Sequence, residues 1–340
     1  MSLDEAVGMS TDVICRDPRE ARLLRTMFVK AGVKTRRTCV PYQTAYEWIG
    51  ENAQPSESPG RDTAERMQLY SVHAGPLAGQ AAVKALADAP LSGADITHLI
   101  TVSCTGFDAP GVDIFLFGEL GLARTTQRLH IAYMGCHGAI NGLRAARGIA
   151  AADPAANILI CAVELCSLHF KFQWDPACML GNALFADGAA ALVASEAREE
   201  TFRVTATGSC LLPDSLETIT WRIGSHGFEM GLSNRVPDLI REHLRPWLTE
   251  WLAAHGQTLD SIGSWAVHPG GPRILDAVEE SLEFDSTVLD TSRAVLAEHG
   301  NMSSPTVLFI LQRLLSRQAP RPCVLLGFGP GLMAEAALVE

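Results

Sequence analysis

Cys136 is a candidate nucleophile in the stretch YMGCHGAINGLRAAR (residues 133–147), where an apolar run gives way to a helix-like one. The residues RLHIAY before it resemble a short strand, and those after it are rich in Ala, Leu and Arg, as in a helix. A cysteine at such a strand-to-helix turn lies close to helix N–H groups that favour its thiolate form. The pattern fits a buried structural thiol equally well, because free cysteine is among the most buried residue types.

A cysteine nucleophile needs a base or a cation nearby. His137 is not predicted to be that base, because consecutive helical residues point about 100° apart. His268 ends the strand-like SWAVH before the rigid turn PGGP, which predicts an imidazole at the carboxyl end of a strand, where α/β proteins bind ligands. Asn301 precedes the helix start SSPTVLFIL, and its amide is a hydrogen-bond donor. Taken singly, each also fits a surface histidine or an asparagine in a tight turn.

The elements that must position these residues alternate along the chain. Strand-like runs are HLITVSC (98–104), NILICAVEL (157–165), ALVAS (191–195), SWAVHP (264–269) and CVLLGFG (323–329). Helix-like runs cover residues 20–32, 78–89, 237–256 and 304–317. This alternation predicts an α/β fold with largely buried sheets. The sharpest change of composition, near 196–216, divides the chain into halves 1–200 and 201–340.

Composition excludes several functional classes. The chain has 340 residues, 47% of them hydrophobic, and a formal net charge of -11. This acidity argues against nucleic acid as a partner, because phosphate contacts need an excess of Lys and Arg. No apolar run reaches the roughly 18 residues of a membrane span, and the start lacks a signal-peptide pattern, so we expect a cytoplasmic protein that does not enter the membrane.

Cofactor motifs are also missing from the sequence. Nine scattered cysteines form no CxxC pair, and no GxGxxG follows a strand, so we expect no disulfide framework, zinc site, flavin or nicotinamide. One basic stretch, residues 22–37, stands out against the acidic total. It carries six cations and no acid: Arg22, Arg25, Lys30, Lys34, Arg36 and Arg37. This stretch fits either a solvated helix face or a site for a polyanion such as a nucleotide-tailed thioester.

Five ordered motifs resemble one known family over nearly the whole chain. They are GCHGA at 135–139, GNALFADGAAALV at 181–193, WAVHPGGPRIL at 265–275, GNMSSPTVLFIL at 300–311 and GFGPGL at 327–332. The sequence resembles type III polyketide synthases of the chalcone synthase type, in their bacterial form. The resemblance implies the thiolase fold, with two similar α/β halves in five αβαβα layers, and a homodimer.

The resemblance also implies roles for individual residues. Cys136 corresponds to the acyl-carrying nucleophile, and His268 with Asn301 to the pair that promotes decarboxylation of malonyl-CoA. Phe185 corresponds to the phenylalanine between the CoA tunnel and the cavity. The implied substrates are an acyl-CoA starter and malonyl-CoA, with no bound cofactor or metal. For the CoA phosphates the best match is Lys30, and the looser ones are Arg25 and Arg22.

Several cavity positions depart from the plant enzymes. Met230 replaces the second gatekeeper phenylalanine, Cys166 and His169 replace threonines, and Trp221 replaces a glycine. Thr105 is a further implied cavity residue. Another departure is Ala109, where a methionine usually reaches into the partner's cavity, so each cavity is expected to be largely self-contained.

These departures bear on the substrate. Trp221 removes cavity volume unless its ring points elsewhere. We expect a small starter and a compact resorcinol, pyrone or naphthalene product in preference to a coumaroyl-primed chalcone, with a narrow fatty-acyl tunnel as the alternative. The run Cys-Ser-Leu at 166–168 is similar to that of enzymes making tetrahydroxynaphthalene. The chain begins near the family's first helix, so either its start lies upstream or a first strand is missing.

Three rival functions remain at this point. A ketoacyl synthase III-like enzyme shares the fold and the triad, but HQAN is expected there in place of HPGGP. A catalytically silent thiolase-fold binding partner is expected to lack the nucleophile. A cysteine hydrolase leaves the Phe185 segment and the basic stretch without a role.

Overall fold

The computed structural model describes residues 1–41, 60–195 and 202–340. Its first sheet has four strands: β1 (His98–Ser103), β2 (Gln127–Ala132), β3 (Ile158–Leu165) and β4 (Asp187–Ala194). Their order is β2-β1-β3-β4, with β1 parallel to β2 and β3, and β4 antiparallel to β3. The strand β2 therefore forms one edge of this sheet, and the turn that follows it carries Cys136.

Six further strands lie in the described range 202–340. They are β5 (Val204–Leu211), β6 (Ile219–Gly224), β7 (Gly227–Leu232), β8 (Ser264–Val267), β9 (Cys323–Gly329) and β10 (Met333–Val339). The second sheet has the order β5-β10-β9-β8, with β8 parallel to β9 and the other pairs antiparallel. The strands β6 and β7 form a separate hairpin.

Ten α-helices lie within the described ranges. They are α1 (Leu3–Ile14), α2 (Pro18–Lys30), α3 (Thr63–Asp88), α4 (Val112–Leu120), α5 (Gly138–Ala152), α6 (Pro176–Leu184), α7 (Val236–Ala253), α8 (Pro272–Leu282), α9 (Asp290–His299) and α10 (Pro305–Ser316). None of these ten helices is both long enough and apolar enough to cross a membrane.

Three apolar cores hold together five layers of structure, and the central core contacts both sheets. One core joins α3 and α4 to the first sheet through buried side chains such as Ala78 and Leu159. A central core places α5 and α10 between the two sheets, and a third packs α7 and α8 on the far face of the second sheet. The predicted αβαβα arrangement is confirmed, and the continuous apolar run of β3 reflects its burial on both faces.

The helix α3 is much longer than the sequence predicted. The predicted helix covered residues 78–89, whereas α3 begins at Thr63. Pro76 and two glycines disfavour a helix by propensity alone. Tertiary packing explains Gly75, because a Cβ atom there would lie 2.7 Å from the ring of Phe115 in α4.

The predicted strands at 98–104, 157–165, 191–195, 264–269 and 323–329 are all present; the last has the predicted ends, and the other four differ at one or both ends. The strands β5, β6, β7 and β10 were not predicted. The run MAEAALV of β10 is rich in alanine and carries a glutamate, so it lacks the β-branched character of a strand. The predicted boundary between residues 200 and 201 lies outside the described residues and stays a prediction.

Candidate active site

Cys136 lies at the predicted strand-to-helix turn. It follows β2 within a single 3₁₀ turn, Gly135–His137, and α5 begins directly afterwards. Gly135 has φ +76°, and a Cβ atom there would lie 2.5 Å from Pro330 Cδ, so only glycine fits this turn. The close approach of the 329–330 segment is thus part of what positions the cysteine.

The thiol of Cys136 is surrounded by protein although it retains some surface toward the cavity. This burial raises its pKa to about 11, and hydrogen bonds to Ser303 and Asn301 only partly oppose the shift. A position near a helix N-terminus would by itself lower the pKa of the thiol. The observed shift is upward, because desolvation of the thiolate outweighs its stabilisation by the helix N–H groups. The neutral thiol is therefore the favoured form here.

His268 directly follows β8, as predicted, and its backbone N–H donates a 2.8 Å hydrogen bond to the Leu326 carbonyl. Only 1% of its surface is exposed, and within the described part of the chain neither ring nitrogen has a hydrogen-bond partner. Burial lowers its pKa to about 3, which keeps the imidazole neutral. A neutral imidazole with both nitrogens unengaged can accept a proton from one group and donate a hydrogen bond to another.

His137 differs from His268 in its surroundings. Its Nδ1 lies 2.8 Å from Asn141 Oδ1, one turn further along α5. It is also not among the residues that line the cavity beside Cys136. This placement agrees with the prediction that His137 is not the base.

The amide of Asn301 is oriented by its own turn. Its Oδ1 accepts a 2.8 Å hydrogen bond from the Ser303 backbone N–H, so Nδ2 is the donor end that faces Cys136. Its backbone N–H donates to the Leu184 carbonyl at 2.8 Å, and its carbonyl accepts from the Ala186 N–H at 2.9 Å. These two bonds tie the asparagine to the chain segment that carries Phe185.

A first chamber of about 90 Å³ brings the predicted residues together. It is lined by Cys136, His268 and Asn301 together with Phe185, Cys166, Thr105, Trp221 and Met230. Its other walls are mostly apolar and include residues of the β6–β7 hairpin and of the 328–330 segment. The cavity thus combines one thiol, one imidazole and one amide with a largely apolar shell.

A second chamber of about 260 Å³ lies on the other side of a shared wall. Cys166, Phe185, Trp221 and Met230 line both chambers. Its outer part is polar and includes the ion pair between Lys171 and Glu229, with 2.6 Å between Nζ and Oε1.

His169 lines the second chamber and not the first, and both of its nitrogens are engaged. Its Nε2 lies 2.6 Å from the Thr105 carbonyl oxygen, and its Nδ1 accepts a 3.0 Å hydrogen bond from the Phe228 N–H. The ring also stacks on Phe228 with 4.2 Å between centroids. Burial lowers the pKa of His169 to about 3. The neutral ring of His169 therefore links the loop at Thr105 to the β6–β7 hairpin.

Sequence reasoning missed a buried carboxyl group beneath the site. Glu164 in β3 has no exposed surface, and its Oε2 accepts hydrogen bonds from the Cys104 N–H at 2.9 Å and the Thr105 hydroxyl at 2.7 Å. Its Oε1 accepts from the Ser304 hydroxyl at 2.5 Å, and burial raises its pKa. The carboxyl group thus joins the 105 loop to the Asn301 turn. The signal that could have revealed it is a glutamate inside the apolar run NILICAVEL.

The basic stretch divides into surface and interior residues. Arg22, Arg25 and Lys30 are exposed on α2, and Arg25 pairs with Asp4 at 3.1 Å. Arg36 is only 2% exposed, so it is turned inward and does not share in a surface site. The end of α2 approaches the turn after His268, because a Cβ atom at Gly32 would lie 3.4 Å from Pro272 Cγ.

Comparison with known families identifies the architecture and the chemistry together. The models for the N-terminal and C-terminal domains of chalcone and stilbene synthases match residues 11–197 and 203–340. The chain belongs to the chalcone and stilbene synthase family. It is a type III polyketide synthase, an acyl-transferring condensing enzyme, and the ketoacyl synthase III alternative is set aside by this match.

This polyketide synthase has bacterial relatives of known name. It is 36% identical over 336 residues to 1,3,6,8-tetrahydroxynaphthalene synthase of Streptomyces peucetius subsp. caesius, covering 96% of this chain and 86% of the relative. It is 33% identical to the alpha-pyrone synthesis polyketide synthase-like Pks18 of Mycobacterium tuberculosis, covering 95% and 84%. The crystal structure of PKS-I from the brown alga Ectocarpus siliculosus superposes with a TM-score of 0.92 at 29% identity, covering 100% and 94%.

No group of three or more His, Cys, Asp or Glu side chains in residues 1–41, 60–195 and 202–340 is arranged to hold a metal ion. The prediction that the enzyme needs no cofactor stays a prediction.

Proposed function

We propose that this enzyme loads an acyl group from acyl-CoA onto Cys136, extends it with malonyl-CoA, and cyclises the chain to a small aromatic or pyrone product. The observation that carries the proposal is the convergence of Cys136, His268 and Asn301 on one largely apolar cavity, where neither imidazole nitrogen has a hydrogen-bond partner among the described residues. Family membership supports the same reaction class.

In the loading step, His268 takes the proton of the Cys136 thiol, and the resulting thiolate forms an ion pair with the imidazolium. The sulfur attacks the acyl-CoA carbonyl carbon, the C–S bond to CoA breaks, and the CoA thiolate takes the proton back from His268. A neutral imidazole suits this exchange, since it must accept a proton before it donates one. The product is an acyl thioester on Cys136.

In the extension step, malonyl-CoA loses its carboxylate as carbon dioxide. The electron pair left behind forms an enolate whose oxygen accepts hydrogen bonds from Asn301 Nδ2 and from the His268 ring N–H. Such donors contribute roughly 3–4 kcal/mol each to comparable transition states. The enolate carbon then attacks the Cys136 thioester, the C–S bond breaks, and the thiolate is regenerated.

For CoA itself we propose the exposed cations of α2, with Lys30 as the main phosphate contact and Arg25 and Arg22 further out. The approach of Gly32 to Pro272 supports this proposal, because it brings the end of α2 beside the turn that follows His268. Arg36 is excluded from this set by its burial.

We propose a small starter and a compact product, because Trp221 and Met230 limit the chamber beside Cys136. The names of the relatives, a tetrahydroxynaphthalene synthase and an alpha-pyrone synthase-like enzyme, favour the same product classes. One observation favours a second candidate, extension of fatty acyl starters. The second chamber lies directly behind Met230, which is flexible enough to admit the distal end of a chain.

The working unit in this proposal is a homodimer. Several apolar side chains are exposed on or near the edge strand β2: Phe107, Ile114, Phe115, Leu129 and Met134. Such a concentration of exposed apolar side chains beside an open sheet edge favours burial against a second copy. Light scattering at micromolar concentration should give the dimer mass, and an active monomer would contradict this part. A cytoplasmic location stays a prediction.

The variant Cys136→Ala tests the mechanism. It should lose polyketide formation and the iodoacetamide adduct at position 136 but keep part of the malonyl-CoA decarboxylation, because His268 and Asn301 remain. The matched control is Cys15→Ala, a partly buried thiol in the α1–α2 connection that should leave product formation unchanged. Full product yield from Cys136→Ala would overturn the assignment.

The starter class needs its own experiment. A panel of acyl-CoA starters with malonyl-CoA, read by mass spectrometry, should rank short or slender acyl groups above p-coumaroyl-CoA. If p-coumaroyl-CoA is the best starter, the cavity argument is wrong. Activity should also survive dialysis against EDTA, and a loss restored by zinc would contradict the prediction that the enzyme needs no metal.

A further inference from the structure

Arg36 is the one buried cation of the basic stretch, and its guanidinium points into the protein. It is 2% exposed, whereas Arg22, Arg25, Lys30, Lys34 and Arg37 are all exposed. A buried guanidinium must be satisfied by hydrogen bonds, because desolvating the charge is costly. Its partners therefore show what the residue does.

The guanidinium of Arg36 binds the end of helix α6. Its Nη2 donates to the Ala183 carbonyl at 2.6 Å, and its Nη1 donates to the Phe185 carbonyl at 3.2 Å and to the Asn182 carbonyl. The last carbonyls of a helix carry partial negative charge and lack partners inside the helix. The planar fork of arginine can reach three of them from one position, which a lysine ammonium cannot do in the same geometry.

The segment 182–186 at the end of α6 also forms two hydrogen bonds with the backbone of Asn301, the proposed catalytic asparagine. The Asn301 N–H donates to the Leu184 carbonyl and its carbonyl accepts from the Ala186 N–H, at 2.8 and 2.9 Å. The contact is close, because a Cβ atom at Gly300 would lie 2.9 Å from the Ala186 Cβ and 3.2 Å from the Leu184 oxygen. Residues 182–186 are thus bound by Arg36 and by the Asn301 backbone.

The chain beside Arg36 is also fixed to the helix that leads to Asn301. The Lys34 N–H donates to the Ala297 carbonyl at 2.8 Å, and the Thr35 hydroxyl donates to the Glu298 carbonyl at 2.5 Å. On the other side the Asp187 N–H donates to the Arg37 carbonyl at 2.9 Å. Residues 34–37 therefore bridge the end of α9 and the Phe185 segment.

We infer that Arg36 is a positioning residue of the condensing site. By holding the carbonyls of residues 182–185 it fixes Phe185 and, through the backbone bonds at Leu184 and Ala186, the amide of Asn301. This inference rests on the proposed role of Asn301 in decarboxylation. Arg36 thus supports decarboxylation through Asn301 and does not bind CoA.

The variant Arg36→Lys tests the inference, because it keeps the charge and loses the fork. Per folded enzyme, kcat for malonyl-CoA decarboxylation should fall roughly 10- to 100-fold, the scale expected when a catalytic group is displaced by about 1 Å. The KM should change less than about threefold, since CoA binding does not involve the Asn301 amide. Iodoacetamide should still label Cys136, because burial and not the Asn301 hydrogen bond is the largest influence on the thiol pKa.

Two arginine variants serve as controls. Arg19→Lys makes the same change at an exposed position in α2 and should leave decarboxylation unchanged. Arg66→Lys makes it at a second buried arginine, whose guanidinium binds the carbonyls of Leu168 and Phe170 away from Asn301. An equal loss of decarboxylation in Arg66→Lys would show a general packing effect and overturn the inference. A rise in KM alone for Arg36→Lys would also overturn it, by indicating CoA binding.

A double-mutant cycle with Asn301→Asp separates this inference from the proposed function. If Arg36 acts through Asn301, adding Arg36→Lys to Asn301→Asp should change kcat less than twofold, whereas independent effects multiply. An Asn301→Asp variant with normal decarboxylation would contradict the proposed function; multiplied losses would contradict only the role of Arg36.

If Arg36→Lys does not fold, Arg36→Gln takes its place. Failure of both to fold would assign Arg36 to stability and overturn the positioning role.

Discussion

Trp221 and Cys104 are joined by a 2.7 Å hydrogen bond from the indole Nε1 to the backbone carbonyl. The indole ring also meets the ring of His169 edge-on, with 5.5 Å between centroids. These contacts hold the ring in the shared wall of the two chambers. The bulk of Trp221 is therefore a fixed part of the cavity and does not swing aside to admit a longer chain.

The variant Trp221→Gly should enlarge the product. Without the indole, the main product by mass spectrometry should carry at least one more malonyl-derived unit. Trp221→Phe is the comparison variant, because it keeps an aromatic ring and most of the bulk while it loses the hydrogen bond to Cys104. Its product should keep the parent size at a lower yield. An unchanged product profile for Trp221→Gly would show that the indole does not limit chain length.

Met230 should control passage between the chambers. In Met230→Ala the shared wall loses its flexible side chain. The ratio of kcat/KM for a long-chain acyl-CoA to kcat/KM for a short-chain acyl-CoA should therefore rise about tenfold, which is the scale of a few methylene contacts. Met230→Phe should lower the same ratio. Steady-state assays with starters of increasing length provide the measurement. If both variants keep the parent ratio, the second chamber does not receive the acyl chain.

Much of this architecture could be predicted from the sequence because its signals are local. The apolar runs around Ile160 and Leu325 predict buried strands, and Gly135 together with the PGGP turn marks the ends of elements at which Cys136 and His268 lie. Turn residues of this kind constrain the backbone wherever the rest of the chain lies. The placement of both residues could therefore be inferred before any contact was known.

The partners of each side chain could not be predicted in this way. Arg36 belongs by sequence to a basic surface stretch, yet it is buried against carbonyls about 146 residues away in the chain. His169 was expected to line the substrate cavity; it lines the second chamber, and the two hydrogen bonds that hold it there could not be read from the sequence. The upward pKa shift of Cys136 depends on burial by both halves of the chain, which no local pattern reports.

The buried neutral histidines should make stability fall at acidic pH. His169 has a pKa of about 3 in the folded chain against an ordinary value near 6.5, so the unfolded chain binds a proton first as pH falls. Its contribution to stability is therefore complete above pH 6.5 and is lost as pH falls from 6.5 toward 3. His268, also with a pKa of about 3, acts in the same direction.

Urea unfolding of the parent enzyme and of His169→Gln at pH 7.5, 6 and 5 tests this expectation. Gln cannot titrate, so the slope of the unfolding free energy against pH should become shallower by up to one proton, about 1.4 kcal/mol per pH unit. His268→Gln should show a similar reduction. Equal slopes for the parent and His169→Gln would mean that His169 takes up its proton in the folded chain.

The variant Asn301→Asp should separate decarboxylation from the reactivity of Cys136. Asp keeps the oxygen that accepts the Ser303 N–H at 2.8 Å, so the turn is retained, but it replaces the Nδ2 donor by a group that repels the enolate oxygen. Loss of one such donor lowers kcat by about 10²–10³-fold. Acetyl-CoA formed from malonyl-CoA, measured by chromatography, should fall by that factor while iodoacetamide still labels Cys136.

The matched control is Asn157→Asp. In the parent, Asn157 Nδ2 donates to the Asp95 carbonyl at 3.0 Å, far from the cavity, so this variant should keep the parent rate. Normal decarboxylation in Asn301→Asp would remove the asparagine from the mechanism.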